Sequence, residues 1–220
     1  HDIDFNGILT LGLYGELTGD ASPASVAGDS TVGSVSGSIE ATGDIGEFHI
    51  AGDVSGTIQA GGNLSNLFIA GDLTGAGLIQ STGGRIGLSI QGNVAGTMTG
   101  DTGVTVETSG EENTVSGSID ATDGDVNVDV GGSISGSITV ANGSLTVYSN
   151  HGSISGTLDA SANGTIGEVS ACGSISGPIT AYGDITNISA YTGNLSAALT
   201  SSNGNIVQVY AAGNITGNIT

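Results

Sequence analysis

The sequence predicts an all-β fold, a β-solenoid (parallel β-helix) of about ten coils. Three observations predict it. A Gly-polar-aliphatic-small-Gly motif recurs every 19 to 21 residues. A related Gly-polar-aliphatic triplet sits halfway between successive copies. Between these markers apolar and polar residues alternate, the period of a strand with one face buried.

The first motif reads Gly52-Asp53-Val54-Ser55-Gly56, Gly71-Asp72-Leu73-Thr74-Gly75, Gly132-Ser133-Ile134-Ser135-Gly136, Gly152-Ser153-Ile154-Ser155-Gly156 and Gly173-Ser174-Ile175-Ser176-Gly177. Its aliphatic residue falls at Val35, Val54, Leu73, Val94, Val115, Ile134, Ile154, Ile175, Leu195 and Ile215, a mean step of 20 residues. The second marker includes Gly43-Asp44-Ile45, Gly62-Asn63-Leu64, Gly124-Asp125-Val126 and Gly183-Asp184-Ile185. Each unit of about 20 residues therefore holds two halves, each a corner followed by one strand, giving two strands per coil.

Alternation places Val54, Gly56, Ile58 and Ala60 on one face, with Ser55, Thr57 and Gln59 on the other. Half of that inward set is small, so the interior is thin. The second half-unit contributes sets such as Leu64, Leu67 and Ile69, or Val126, Val128 and Val130. Asn142-Gly143, Asn163-Gly164 and Asn203-Gly204 mark corners suited to positive φ. One such strand buries too little to be stable alone; stacking continues each aliphatic column through the molecule. Ten coils at about 4.8 Å each predict a rod of about 50 Å. The repeat spans residues 32–220, and residues 1–31 form a separate N-terminal arm or cap.

Composition narrows the function. The 220 residues include 41 Gly, one Lys or Arg and 21 Asp or Glu, a formal charge of −20 at pH 7. Arg85 alone cannot neutralise a phosphate backbone or an anionic lipid surface, which argues against nucleic-acid and lipid partners. No apolar run reaches the roughly 18 residues of a membrane span. Cys172 is single, so no intramolecular disulfide framework forms. The near-absence of Lys together with abundant Ser, Thr, Asn and Gly suits a secreted protein at the cell surface.

The Gly-[Asp/Asn/Ser]-[Ile/Val/Leu]-[Ser/Thr]-Gly repeats resemble those of secreted bacterial β-solenoid surface proteins, of the adhesin and autotransporter-passenger type. The similarity covers residues 32 to 220. It implies the architecture and an extracellular setting. No catalytic motif of the polysaccharide-acting parallel β-helix enzymes is present to carry over.

The two ends suggest self-assembly. Ile3, Phe5, Leu9, Leu11 and Leu13 lie in the most hydrophobic stretch, where Leu9, Leu11 and Leu13 share one face. That stretch reads as a cap or irregular first coil, or as a strand donated to a neighbouring subunit. The last residues, Gly213 to Thr220, carry Ile215 and Ile219 in an unbroken repeat. An open coil of this kind invites another copy, and a head-to-tail contact that does not close gives a filament. A fragment of a longer repeat protein is the competing reading.

Candidate chemistry is sparse. His1, His49 and His151 are scattered and form no triad or metal-spaced pair, so an enzyme is not expected. Stacked carboxylates repel, and Ca²⁺ would relieve this; the candidate ligands are Asp53, Asp72, Asp123 and Asp125, against the plainer reading of a solvated acidic corner. Outward Ser and Thr, such as Ser55 and Thr57, make a hydroxyl array of the ice-binding kind, interrupted by Pro178 and Ala198. Phe68, Tyr148 and Tyr210 are expected in one outward column with His49, an exposed aromatic face for lateral packing or for stacking on sugars. The expected function is a structural subunit of an extracellular filament, with itself as partner. The alternative is a cell-surface adhesin or stalk segment that binds glycan or protein.

Overall fold

The computed structural model describes residues 3–9, 20–26 and 30–220. It is a β-solenoid, and its elements are all strands. One sheet of eleven parallel strands contains β1 (Ile3–Leu9), β2 (Asp20–Val26), β4 (Ser38–Ala41), β6 (Thr57–Ala60), β8 (Leu78–Ser81), β10 (Thr97–Gly100), β12 (Ser118–Asp123), β14 (Ser137–Asn142), β16 (Leu158–Ala160), β18 (Ile179–Ala181) and β20 (Leu199–Ser201). A second sheet of ten contains β3 (Ser30–Val32), β5 (Phe48–Ile50), β7 (Leu64–Ile69), β9 (Ile86–Ile90), β11 (Val104–Thr108), β13 (Val126–Val130), β15 (Ser144–Ser149), β17 (Thr165–Ala171), β19 (Ile185–Ala190) and β21 (Ile206–Ala211). From β2 onward the chain visits the two sheets alternately, so each strand pairs with its counterpart one coil away. The backbones of β1 and β2 lie at one edge of the first sheet: β1 pairs with β2, and β2 with β4. Leu11 and Leu13 lie outside the described residues.

A third wall completes the cross-section. The motif aliphatics from Val35 to Ile215 each form a single-residue parallel bridge to the next coil. The strand expected to run unbroken from Val54 to Ala60 is split there, because the chain turns at Ser55-Gly56. The amides of both Ser55 and Gly56 donate to one acceptor, the Val35 carbonyl, at 2.8 and 3.0 Å. The same forked bond recurs where Ser135 and Gly136 donate to Val115. One carbonyl serving two successive amides bends the chain at a point where a ladder would keep it straight.

Inside, the columns run the length of the solenoid. Ile39, Ile58, Ile79, Met98, Ile119, Ile138, Leu158, Ile179 and Leu199 stack in register, and each is fully buried. Facing them, Phe48, Leu67, Leu88, Val106, Val128, Val147, Val169 and Ile188 form a column of the second sheet, all buried. Burying each such side chain contributes about 1.5–3 kcal/mol. The buried hydroxyls Ser81 and Ser149 donate to the carbonyls of Gly62 and Gly132 at 2.6 and 2.7 Å. Among the described residues no buried side-chain nitrogen or oxygen lacks a hydrogen-bond partner.

The glycine of the forked turn is there for room. A methyl group on Gly136 would lie 1.9 Å from the carbonyl oxygen of Gly117, one coil earlier. In the coil of Leu73 the glycine in this column is Gly77, not Gly75: a methyl on Gly96 would meet the Gly77 oxygen, whereas one on Gly75 would meet nothing within 4 Å. The expectation of positive φ at the Asn-Gly corners holds at Gly143, with φ of 138°, but not at the other two. Gly204 instead answers to crowding, since a methyl there would lie 2.4 Å from the carbonyl carbon of Gly183.

Gly136→Val is expected to destabilise the fold by about 1–3 kcal/mol or more, as overpacking does. Gly75→Val is expected to stay within about 0.5 kcal/mol, the range of an unconstrained surface site. Urea denaturation followed by circular dichroism measures both, and equal losses would refute the packing account.

Candidate functional site

The acidic and amide residues at the corners are tied into the stack. At the first corner the side chain of one coil accepts from the backbone N–H of the equivalent residue in the next. Asp72 donates to Asp53 Oδ1 at 2.8 Å, Asn93 to Asp72 Oδ1 at 2.6 Å, and Thr114 to Asn93 Oδ1 at 2.9 Å. The series resumes with Ser153 to Ser133 Oγ, Ser174 to Ser153 Oγ, Asn194 to Ser174 Oγ and Asn214 to Asn194 Oδ1. A second corner repeats it: Asn63 N–H to Asp44, Ser144 N–H to Asp125 and Asn205 N–H to Asp184, at 2.6 to 2.9 Å. The Asp, Asn or Ser at these positions supplies an acceptor for an amide that the corner leaves without a strand partner.

This accounts for the residues proposed as Ca²⁺ ligands. Asp53, Asp72 and Asp125 each hold the amide of the next coil, and Asp123 Oδ1 accepts from Asn142 Nδ2 at 2.8 Å. Asp123 and Asp125 flank Gly124, whose φ is 77°. No group of three or more His, Cys, Asp or Glu side chains is placed to hold a metal ion among the described residues.

The outward face of the second sheet has a different chemistry. Strand register aligns His49, Phe68, Ser89, Glu107, Asp129, Tyr148, Ser170, Ser189 and Tyr210 in one column. Phe68, Tyr148 and Tyr210 thus share a column with His49, although Phe68 and Tyr148 are half-buried and only Tyr210 is well exposed. The ring of His49 lies 5.5 Å from that of Phe68, and its Nε2 is 3.5 Å from Glu47 Oε1. Asn66, a bulge residue with φ of 56°, sits beside them. A groove of about 350 Å³ runs here, walled by Glu47, His49, Asn66, Phe68 and Glu107.

Further along, the Tyr148 hydroxyl donates to Glu168 Oε2 at 2.8 Å, and Asn187 Nδ2 donates to Glu168 Oε1 at 3.2 Å. Tyr191, absent from the sequence-level face, packs at 6.3 Å against Tyr210. Its place at a corner hid it from strand periodicity. Glu168 was hidden by the bulge that shifts the register between β15 and β17. The hydrogen bond to Glu168, with burial and nearby acidic charge, raises the Tyr148 phenol above its ordinary 10.0.

Of the expected junction residues, Ile215 and Ile219 are 47% and 46% exposed, whereas Leu195 and Leu199 one coil earlier are fully buried. The backbones of Ile3, Phe5 and Leu9 are paired in β1. No helix is long and apolar enough to cross a membrane among the described residues. No protein-family model, curated protein or solved structure matches the chain.

Asp72→Ala is expected to cost about 1 kcal/mol by orphaning the Asn93 amide. Asp72→Asn keeps an acceptor oxygen and is expected to be near neutral; urea midpoints separate the two. For Tyr148, Glu168→Gln is expected to lower the phenol toward its ordinary value, read by ultraviolet absorbance against pH. Because the folded state holds this proton more tightly, its stabilising effect is complete below about pH 10 and is lost as pH rises through the folded value.

Proposed function

We propose that this solenoid is a structural rod of the extracellular surface, built to add coils end to end into a filament of its own copies. The observation that carries the reading is that the inward, glycine and corner positions of the repeat serve stacking. Aliphatics fill the interior, glycines allow the close approach, and Asp, Asn and Ser hold the next coil's amides.

The coil that carries Ile215 and Ile219 offers to solvent what interior coils bury. A following coil, from the same chain or from a second copy, would extend both the apolar column and the bridge ladder. The secreted setting draws on the composition and on the resemblance to bacterial surface solenoids. Ca²⁺ enters this reading only as a bridge between acidic corners of neighbouring rods. A second reading, an adhesin or stalk segment, is favoured by the aromatic column with Tyr191 beside it.

Electron microscopy of the purified chain across a concentration series tests the proposal. Unbranched fibres that lengthen with concentration, and that Ile215→Asp with Ile219→Asp abolishes, are the expected result. Single short rods at every concentration would overturn it and leave the stalk reading. Dissolution of fibres by EDTA would assign Ca²⁺ to the contacts.

A further inference from the structure

We infer that the outward trough of the second sheet between Phe68 and Tyr148 is a docking site for an extended, lysine- or arginine-bearing peptide segment. The site lies on the flank of the rod, so it stands whether or not the rod polymerises.

Two grooves make the trough. The first is bounded by Glu47, His49, Phe68 and Glu107, the second by Glu107, Asp129 and Tyr148, and they share Thr105 and Glu107. An aromatic ring therefore stands at each end, with the exposed carboxylates of Glu107 and Asp129 between. Strand register puts Glu107 directly opposite Asp129 on the adjacent strand. Like charges so placed are destabilising.

At the corners, the Asp residues of the ladders are offset by the backbone amides they hold. Glu107 has no such partner: its carboxylate makes no hydrogen bond or ion pair among the described residues. Asp129 has only the side-chain amide of Asn150. A cationic side chain laid between the rings would neutralise both carboxylates and rest on an aromatic face.

The dimensions suit a peptide rather than a small amine. Phe68 and Tyr148 are four strand steps apart, about 19 Å at strand spacing, the reach of about six extended residues. Phosphate-bearing polymers are excluded by charge, and the hydroxyls of a neutral glycan would leave the Glu107–Asp129 repulsion in place.

The test is fluorescence anisotropy of a labelled oligolysine of about six residues, titrated with the 220-residue chain at low and high salt. Phe68→Ala and Glu107→Gln are each expected to weaken binding roughly three- to tenfold. Glu40→Gln, the same charge change on the exposed face of the first sheet, is expected to alter it less than about twofold. Glu107→Gln is also expected to raise the thermal midpoint, since it removes one of two opposed charges, and circular dichroism confirms that each variant is folded. Equal weakening by Glu40→Gln would reduce the effect to general acidity and overturn the site. So would absence of oligolysine binding, or capture of a neutral gluco-oligosaccharide that Phe68→Ala abolishes and Glu107→Gln does not.

Discussion

The backbone hydrogen-bond ladder between coils sets every other feature of this molecule. Parallel strands pair at about 4.8 Å, so each residue has its counterpart that close above and below. Only groups that tolerate their own likeness at that distance can recur. Aliphatic side chains do, and they become the interior columns. Amide and hydroxyl side chains do when one accepts from the backbone of the next. At the forked turn successive coils approach so closely that most of them carry glycine, with Ala197 as an exception. Gly117, Gly136, Gly156 and Gly177 repeat there because each would otherwise collide with the carbonyl before it.

The same constraint explains what could be read from the sequence. A column is a fixed residue type at a fixed period, so Val54, Leu73 and Val94, or Ile58 and Ile79, announce themselves without any structure. The aromatic column was legible for that reason, since Phe68, Tyr148 and Tyr210 keep the phase of their strands. The split at Ser55-Gly56 was not legible, because a forked hydrogen bond leaves the alternation of side chains intact. Nor was the insertion at Gly75-Ala76, which moves the column glycine to Gly77. Bulges at Asn66 and before Glu168 change the phase locally, and with it the neighbours that each aromatic residue meets.

Carboxylates show most clearly how one residue type serves two ends. Sequence alone groups Asp53, Asp72, Asp123 and Asp125 as surface acid, and invites a metal to balance them. In the stack, Asp53, Asp72 and Asp125 act as the hydrogen-bonding half of a corner, and their charge is directed at N–H groups one coil away. Asparagine and serine substitute for them in other coils with the same geometry, as Asn194 and Ser174 do. What that position requires is an acceptor, not an anion. On the outer face of the second sheet, Glu168 accepts from Tyr148 and Asn187, whereas the Glu107 carboxylate has no such structural duty.

Charge and stacking also act over different ranges. A formal charge of −20 with one basic residue surrounds the rod with negative potential. Two rods side by side feel it along their whole length, attenuated over about 8–10 Å at physiological ionic strength. Two coils end to end feel the same repulsion over one cross-section only, where ladder bonds and aliphatic contact act at short range. Adding salt therefore changes lateral approach far more than axial contact. If the solenoid joins its own copies, as we propose, this charge favours lengthening over bundling, and a partner on its flank gains by bringing the opposite charge or displacing water from an aromatic ring.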